Sequence, residues 1–366
     1  MSVPSFITRD PQQVLSEMVA YYEAQTGRTL QPAQVERLLI NAFAYRESLL
    51  REAIQDASLQ NLVAFSRAPV LDYLGELVGV TRLAPQSASV TVRFTLTANV
   101  AGVTIPQGLR VASVDGQAVF ATQTATVVPA SQLVADVLCV AQNTGAELNG
   151  YAAGTITNII DPQPFLSAAS NTGISAGGAS LESDDALRER IRLAPDAFSN
   201  AGSTGAYRFH ARSANQGIID VAVESTPGTG IVRLYPLMED GQPTPSVVLA
   251  QVLAACNAER VRPLTDLVQV FSPTRINYVL QVNLVIFTGQ DPTAIQAAVM
   301  ANLQAYVDQK RKQLGQDITR SQVIREAQVQ GVYSAALAGF QDVIIEPTEF
   351  GFCTSISVTI TGTTNG

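Results

Sequence analysis

Tryptophan is absent from this chain of 366 residues, histidine occurs once and cysteine three times. Each scarcity removes a class of chemistry. Without tryptophan, the aromatic platforms commonly used to hold sugars are poorly represented. The lone His210 would have to serve any histidine-dependent triad, and neither a Gly-x-Ser-x-Gly elbow nor a Cys-Gly-x-Cys context accompanies it. It reads as a helix-surface or interface side chain. Cys139, Cys256 and Cys353 are far apart in sequence and remote from the histidine, so no zinc spacing exists. An odd, sparse set also argues against a disulfide framework and for a reducing compartment such as bacterial cytoplasm.

Charge is also sparse, at 15% of residues against 46% hydrophobic, the reverse of the balance that keeps a chain disordered. The formal net charge of −8 leaves no basic patch for nucleic acid. Lys310, Arg311 and Lys312 form the one dense basic cluster, late in an expected helix where cations suit the negative end of the macrodipole. No apolar run is long enough for a membrane span; the densest, Tyr278 to Phe287, is broken by Gln281 and Asn283. The opening MSVPSFITRDPQQ lacks a basic region followed by an apolar segment, and no signal peptide is expected.

The length and the patterning predict an α+β, multidomain chain. An N-terminal helical region is expected over 1–83 and a small β-rich domain over 84–166. A central α+β domain follows over 167–273 and a C-terminal one over 274–366, both sandwich-like layers of helix and sheet. In the first region Asp10-Pro11 reads as an N-cap with proline at the first helical position, and Gly27 as the stop. A longer helix starts near Pro32, with apolar residues recurring at threes and fours over roughly seven turns, on the order of 40 Å. Val35, Leu38, Leu39, Phe43, Leu49, Leu50 and Ile54 belong to that stripe; Glu36, Arg37, Glu47, Arg51, Glu52 and Asp56 lie opposite. A two-sided helix of this length must lay its stripe against partners, either neighbouring helices of the same chain or helices of another subunit.

From Ala84 the composition turns to Gly, Thr, Val and Asn. SVTVRFTLT alternates as a strand, and VTIPQGLRVASVDGQAVFAT is cut into short strands by Pro106, Gly108 and Asp115-Gly116. Further on, Arg275–Phe287 alternates as a long strand, Asp291-Pro292 caps a helix, and Gln341–Glu346 with Thr354–Thr361 reads as a terminal strand pair. Thr81–Gln86 and Leu166–Gly178 have the composition of hinges.

The most sharply specified stretch is GGASLESDDALRERI, Gly177 to Ile191. Ser183 is placed to cap a helix, with Asp184 and Asp185 in its first turn beside unpaired N–H groups, each device contributing roughly 0.5–1 kcal/mol. Leu187 and Ile191 form its apolar stripe. The glycines lack the spacing of a nucleotide cradle, and aspartates already occupy the positive helix end that a phosphate would need. Adjacent aspartates without further oxygen ligands do not make a cation loop. No catalytic, metal-binding or cofactor-binding residues are therefore expected.

Gly177 to Ala214 resembles the signature of the baseplate protein J family of contractile phage tails and phage-tail-like R-type bacteriocins. Gly177, Gly178, Glu182, Ser183, Asp184, Leu187, Arg188 and Arg190 match its GG-x-x-x-ES-D-x-x-LR-x-R core, with Asp185 inside it, and Gly202, Ser203 and Tyr207 match the Gly-Ser-x-x-x-Tyr segment that follows. The Ile-Pro-x-Gly stretch at Ile105–Gly108 and Arg262-Pro263-Leu264 resemble further family pieces, in the same order. The resemblance implies a structural baseplate wedge protein that pairs with a second copy of itself and a smaller wedge protein. It also implies neighbours of the sheath-initiator, hub and spike kinds, and a ring around the hub that opens when the sheath contracts. Assembly in bacterial cytoplasm into the tail particle would follow, with Val35, Leu38, Leu39, Phe43, Leu49, Leu50 and Ile54 in an intersubunit bundle. The alternative is a tail-associated glycan-binding module or a two-carboxylate hydrolase drawing on Glu182, Asp184, Asp185, Glu239 and Asp240. A secreted adhesin fits less well, because no signal peptide is expected.

Overall fold

The computed structural model describes residues 2–97, 101–197, 203–226, 228–239, 241–259 and 261–366. The chain divides into two compact units, 1–81 with 187–191, and 82–186 with 192–366. The first is helical and the second carries three larger sheets with their helices, an α+β multidomain architecture.

In the helical unit, α1 (Pro11–Thr26) begins where the Asp10 carboxylate accepts from Gln12 N at 2.9 Å and ends at Gly27, whose left-handed φ of 66° lets its N–H reach Glu23 O. α2 (Val35–Gln60) starts after a turn through Pro32, one turn later than the proline suggested, because Gln34 is still extended at ψ 147°. α3 (Val70–Glu76) buries Leu71.

The second unit opens with a β-barrel-like domain. Its strands are β1 (Ser89–Leu96), β2 (Val103–Ile105), β3 (Arg110–Ser113), β4 (Val119–Thr122), β5 (Thr126–Val128), β6 (Val134–Ala141), β7 (Ile156–Ile159) and β8 (Leu166–Asn171). Six of them form one antiparallel sheet in the order β7-β3-β4-β6-β1-β8, while β2 and β5 make a separate ribbon. On β1, Val90, Val92, Phe94 and Leu96 point into the core and Thr91 and Arg93 outward, the period of two that the sequence displays. The outer strands β7 and β8 are drawn together by Asn171, whose main-chain O accepts from Gly154 N at 3.0 Å and whose Oδ1 accepts from Ile156 N at 2.8 Å. The sheet thereby nearly closes.

β8 corrects the reading of Leu166–Gly178 as a hinge. Leu166–Asn171 is a strand of the barrel sheet, so that sheet runs past residue 166. Its continuation is bonded as well, with Ala176 N on Ser89 O and Ser175 N on Tyr151 O. Small polar residues have the composition of a linker but also serve a strand at a sheet edge, which needs few large side chains.

Next come α4 (Asp184–Ala197), α5 (Thr204–Ala214), β9 (Ile218–Thr226), β10 (Ile231–Met238), α6 (Ser246–Cys256) and β11 (Leu267–Val270). β10 is central, antiparallel to β9 and parallel to β11. Tyr207 and Ala211 of α5 and Val248, Val252 and Cys256 of α6 share one core with Val221, Val232 and Leu234 of the sheet.

The last domain contains β12 (Thr274–Phe287), α7 (Pro292–Arg311), α8 (Arg320–Ala327), β13 (Val332–Leu337) and β14 (Glu349–Thr364) in the sheet order β13-β12-β14. Alternate residues of β12, Tyr278 to Ile286, meet Ile295, Val299 and Leu303, which recur four apart along α7. Full burial of each such aliphatic side chain contributes roughly 1.5–3 kcal/mol. Gln341–Glu346 is not the expected strand. Its donors and neighbours are satisfied by side chains: the Asp317 carboxylate accepts from Ile345 N at 2.8 Å, the Asp342 carboxylate accepts from Arg320 N at 2.7 Å, and one bridge joins Ile318 to Val343. The pairing strand is Val332–Leu337, whose Ser-Ala-Ala centre carries little strand propensity.

Candidate assembly interface

α2 turns its sequence pattern inside out. Arg37, Ile40, Ala44, Ser48, Arg51 and Gln55 recur on one face and are buried or half-buried. The apolar residues of the other face are exposed, from 46% at Leu49 to 69% at Val35, with Leu38, Leu39, Phe43, Leu50 and Ile54 between. The helix therefore packs within its own unit through its polar side and leaves its apolar stripe open.

Specific bonds hold the polar side down. Gln55, 2% exposed, accepts from Phe6 N at 2.8 Å and donates to Pro4 O at 2.7 Å. Arg51 donates to Glu47 at 3.0 Å and to Thr8 O at 3.2 Å, and Arg9 meets Glu52 at 3.2 Å. Buried Val14 and Val19 of α1 and Ala44 of α2 supply the apolar part of the packing. The N-terminal arm and α1 thus cover the side of α2 that periodicity assigned to water.

The open stripe is large on an energy scale. A fully buried aliphatic or aromatic side chain contributes roughly 1.5–3 kcal/mol, and these are about half exposed, so the seven together could release about 5–10 kcal/mol on being covered. Association itself costs an estimated ~4–15 kcal/mol. Covering the stripe is therefore comparable with the cost of docking a partner, without exceeding it by much.

The signature residues have structural jobs. Gly177 adopts φ +88°, and a Cβ there would stand 3.0 Å from Val247 Cγ1. Gly178 exchanges two bonds with the Asn149 amide, its N–H on Oδ1 at 2.8 Å and its O receiving Nδ2 at 2.7 Å. Glu182, 3% exposed, accepts from Leu83 N at 2.9 Å, and Arg82 donates to Glu182 O at 2.6 Å and to Asp184 at 2.7 Å. Ser183 caps α4 by accepting from Ala186 N at 3.2 Å, with Asp184 and Asp185 in the first turn. Within the helical unit, Leu187 is fully buried, Arg188 donates to Ser66 O at 3.0 Å and the buried Arg190 donates to Thr81 O at 2.6 Å.

Ser203 caps α5 through Ala206 N at 3.2 Å, and buried Tyr207 donates its hydroxyl to Asp266 at 2.8 Å. Burial, followed by that carboxylate, raises the Tyr207 phenol above its usual range. Gly202 lies outside the described residues, as does Asp240. Asn149, Asn171 and Gln55 were not singled out in the sequence; a buried amide that satisfies backbone groups leaves no periodic trace.

Three of the residues considered for catalysis are engaged elsewhere. Glu182 and Asp184 bind the 82–83 backbone and a guanidinium, while Glu239 pairs at 3.7 Å with Lys312 on the surface. Burial pushes the Cys139 and Cys256 thiols up to about 12, far from the thiolate a nucleophile needs. His210 is half-buried on α5 against the edge of Phe209, and desolvation lowers its pKa. Among the described residues no group of three or more His, Cys, Asp or Glu side chains could hold a metal ion, and no helix is long and apolar enough to cross a membrane.

Comparison with known proteins gives matches along the chain in one order. Residues 36–89 match the Baseplate J-like N-terminal domain, 91–178 the Baseplate J-like protein barrel domain, 199–272 the Baseplate J-like central domain and 278–361 the Baseplate J-like protein C-terminal domain. Baseplate protein J of Escherichia phage P2 is 34% identical over 199 residues, which are 54% of this chain and 65% of that protein. A chain in the cryo-EM structure of the anti-feeding prophage baseplate aligns with a TM-score of 0.41 at 14% identity, covering 93% of this chain and 90% of that one.

Proposed function

This chain belongs to the baseplate J-like family of structural baseplate components of contractile tails and tail-like particles, and on that premise we propose that it is a baseplate wedge protein. Its partners are a second copy of itself and a smaller wedge protein, which cover the α2 stripe in an intersubunit helical bundle. The wedges form a ring around the hub, beside the sheath-initiator and spike components, and the ring rearranges when the sheath contracts. Assembly takes place in bacterial cytoplasm and the product is the tail particle.

One observation carries this reading: α2 directs Val35, Leu38, Leu39, Phe43, Leu49, Leu50 and Ile54 outward while burying Gln55 and half-burying Arg51 on its own chain. Exposed apolar surface of this extent marks an interaction site. The test is co-expression with the smaller wedge protein and a differently tagged second copy. Leu39→Glu with Leu50→Glu leaves the isolated chain folded, since both side chains are exposed. Two carboxylates in a covered bundle cost at least ~3 kcal/mol, so complexes weaken by more than about a hundredfold. Undiminished complexes would overturn the assignment. Turnover of peptidoglycan or surface glycan, lost on changing Glu182 or Asp184, would reverse it in favour of a hydrolase.

A further inference from the structure

The segment ahead of α1 is itself apolar. Val3 and Phe6 are 61% and 53% exposed, and VPSFIT carries no charge. An extended arm of residues 2–9 spans on the order of 25 Å, whereas a helix with its side chains is about 10–12 Å across. Released from its seat, the arm is long enough to pass round α2 and lie on Leu50 and Ile54 of the same chain. Being tethered, it would compete for the stripe at a high effective concentration.

Gln55 is what seats it elsewhere. The buried amide makes a two-point contact with the arm backbone, accepting from Phe6 N at 2.8 Å and donating to Pro4 O at 2.7 Å. The other polar ties are Arg51 to Thr8 O at 3.2 Å and the exposed Arg9–Glu52 pair at 3.2 Å, which holds little, and Pro4 and Ile7 add half-buried apolar contact. Removing the amide would leave Phe6 N and Pro4 O without their partner against a part-buried seat, which favours departure over staying. Ile54 is the next residue, about 100° round the helix, so seat and stripe share one turn.

From this juxtaposition we propose that Gln55 is a positioning residue that keeps the N-terminal arm off the α2 stripe, preserving the stripe for its assembly partner. The inference rests on the stripe being that assembly surface. Without Gln55 the arm becomes an autoinhibitory occupant.

The full chain carrying Ile54→Cys as a reporter tests this by peptide-resolved alkylation, which also separates the reporter from Cys353 and from the buried Cys139 and Cys256. Alkylation is fast with Gln55 present. Adding Gln55→Leu slows it about tenfold, the value for a covered state favoured about ten to one, and removing residues 2–8 from that variant restores the rate to within about twofold. A general loss of stability has no such signature: Val14→Ala, a core truncation, does not slow the reporter. An unchanged rate in Gln55→Leu overturns the proposal, and so does slowing that persists after the arm is removed. Gln55→Ala, which also removes both bonds, takes the place of Gln55→Leu should the latter lose its helical circular dichroism, with the same outcomes deciding. No partner enters this experiment, so its failure is distinct from retained assembly in the Leu39→Glu, Leu50→Glu chain.

Discussion

Replacing Gly178 by alanine isolates a demand for space from a demand for backbone freedom. Gly178 does not lie in the left-handed region, so alanine is conformationally acceptable there. Its surroundings are not permissive: a Cβ would fall 2.4 Å from Gly145 O, 2.9 Å from Asn149 Oδ1 and 3.1 Å from Ala88 Cβ. The nearest of these is main chain and cannot rotate away. Relieving the clash means moving the 145–149 turn and stretching the paired bonds between Gly178 and the Asn149 amide, 2.8 and 2.7 Å long. Two bonds contribute about 1 kcal/mol each and overpacking costs typically ~1–3 kcal/mol, giving a loss of about 3–5 kcal/mol if both bonds are lost. Denaturant unfolding followed by tyrosine fluorescence measures it, and the absence of tryptophan leaves that signal uncontaminated. Asn149→Ala in the same chain does not rescue the loss, because Gly145 O remains in the way and both amide bonds are then absent. A loss under about 0.5 kcal/mol, the range of an unremarkable surface change, would refute the packing argument.

Other outcomes follow from single contacts. Tyr207→Phe leaves the Asp266 carboxylate short of a donor and lowers stability by roughly 1–2 kcal/mol in the same unfolding experiment. The hydrogen bond from Arg110 depresses Asp161 from 3.8 to about 2, so its contribution is present above pH 3.8 and disappears as pH falls through about 2. An NMR titration of the Asp161 carboxyl with its midpoint near the ordinary 3.8 would contradict that. A thiol reagent at pH 8 leaves Cys139 and Cys256 unmodified in the folded chain and reaches both after denaturation, as mass spectrometry would record.

Local chemistry was the legible part of this sequence. Asp10-Pro11 and Asp291-Pro292 announced helix starts that the fold contains, Ser183 caps α4, and SVTVRFTLT supplies β1 with its buried and wet faces. Capping and alternation are decided within a few residues, so they survive in one dimension. Contacts about a hundred residues apart were not legible. Glu182 on Leu83 and Arg190 on Thr81 look, in sequence, like ordinary solvated charges of a helix start. β13 leaves no signal for a similar reason: its alanines pair with β12 because of where the chain places them, not because of their own propensity.

α2 shows the limit most clearly. Periodicity located its two faces but not which one the chain would bury, because the rule that apolar surface goes inside presumes that everything needed to cover it is in the same molecule. Here Gln55, Arg51 and the N-terminal arm fill the intramolecular contact, and the stripe from Val35 to Ile54 is left over. An uncovered stripe worth about 5–10 kcal/mol against a docking cost of ~4–15 kcal/mol cannot by itself make a permanent joint. In the proposed wedge, then, the bundle must act together with other contacts, and losing a few of those would release it. That balance suits a ring that has to hold in one state and reorganise in another, since two arrangements can exchange only when neither is bound far more tightly than the other.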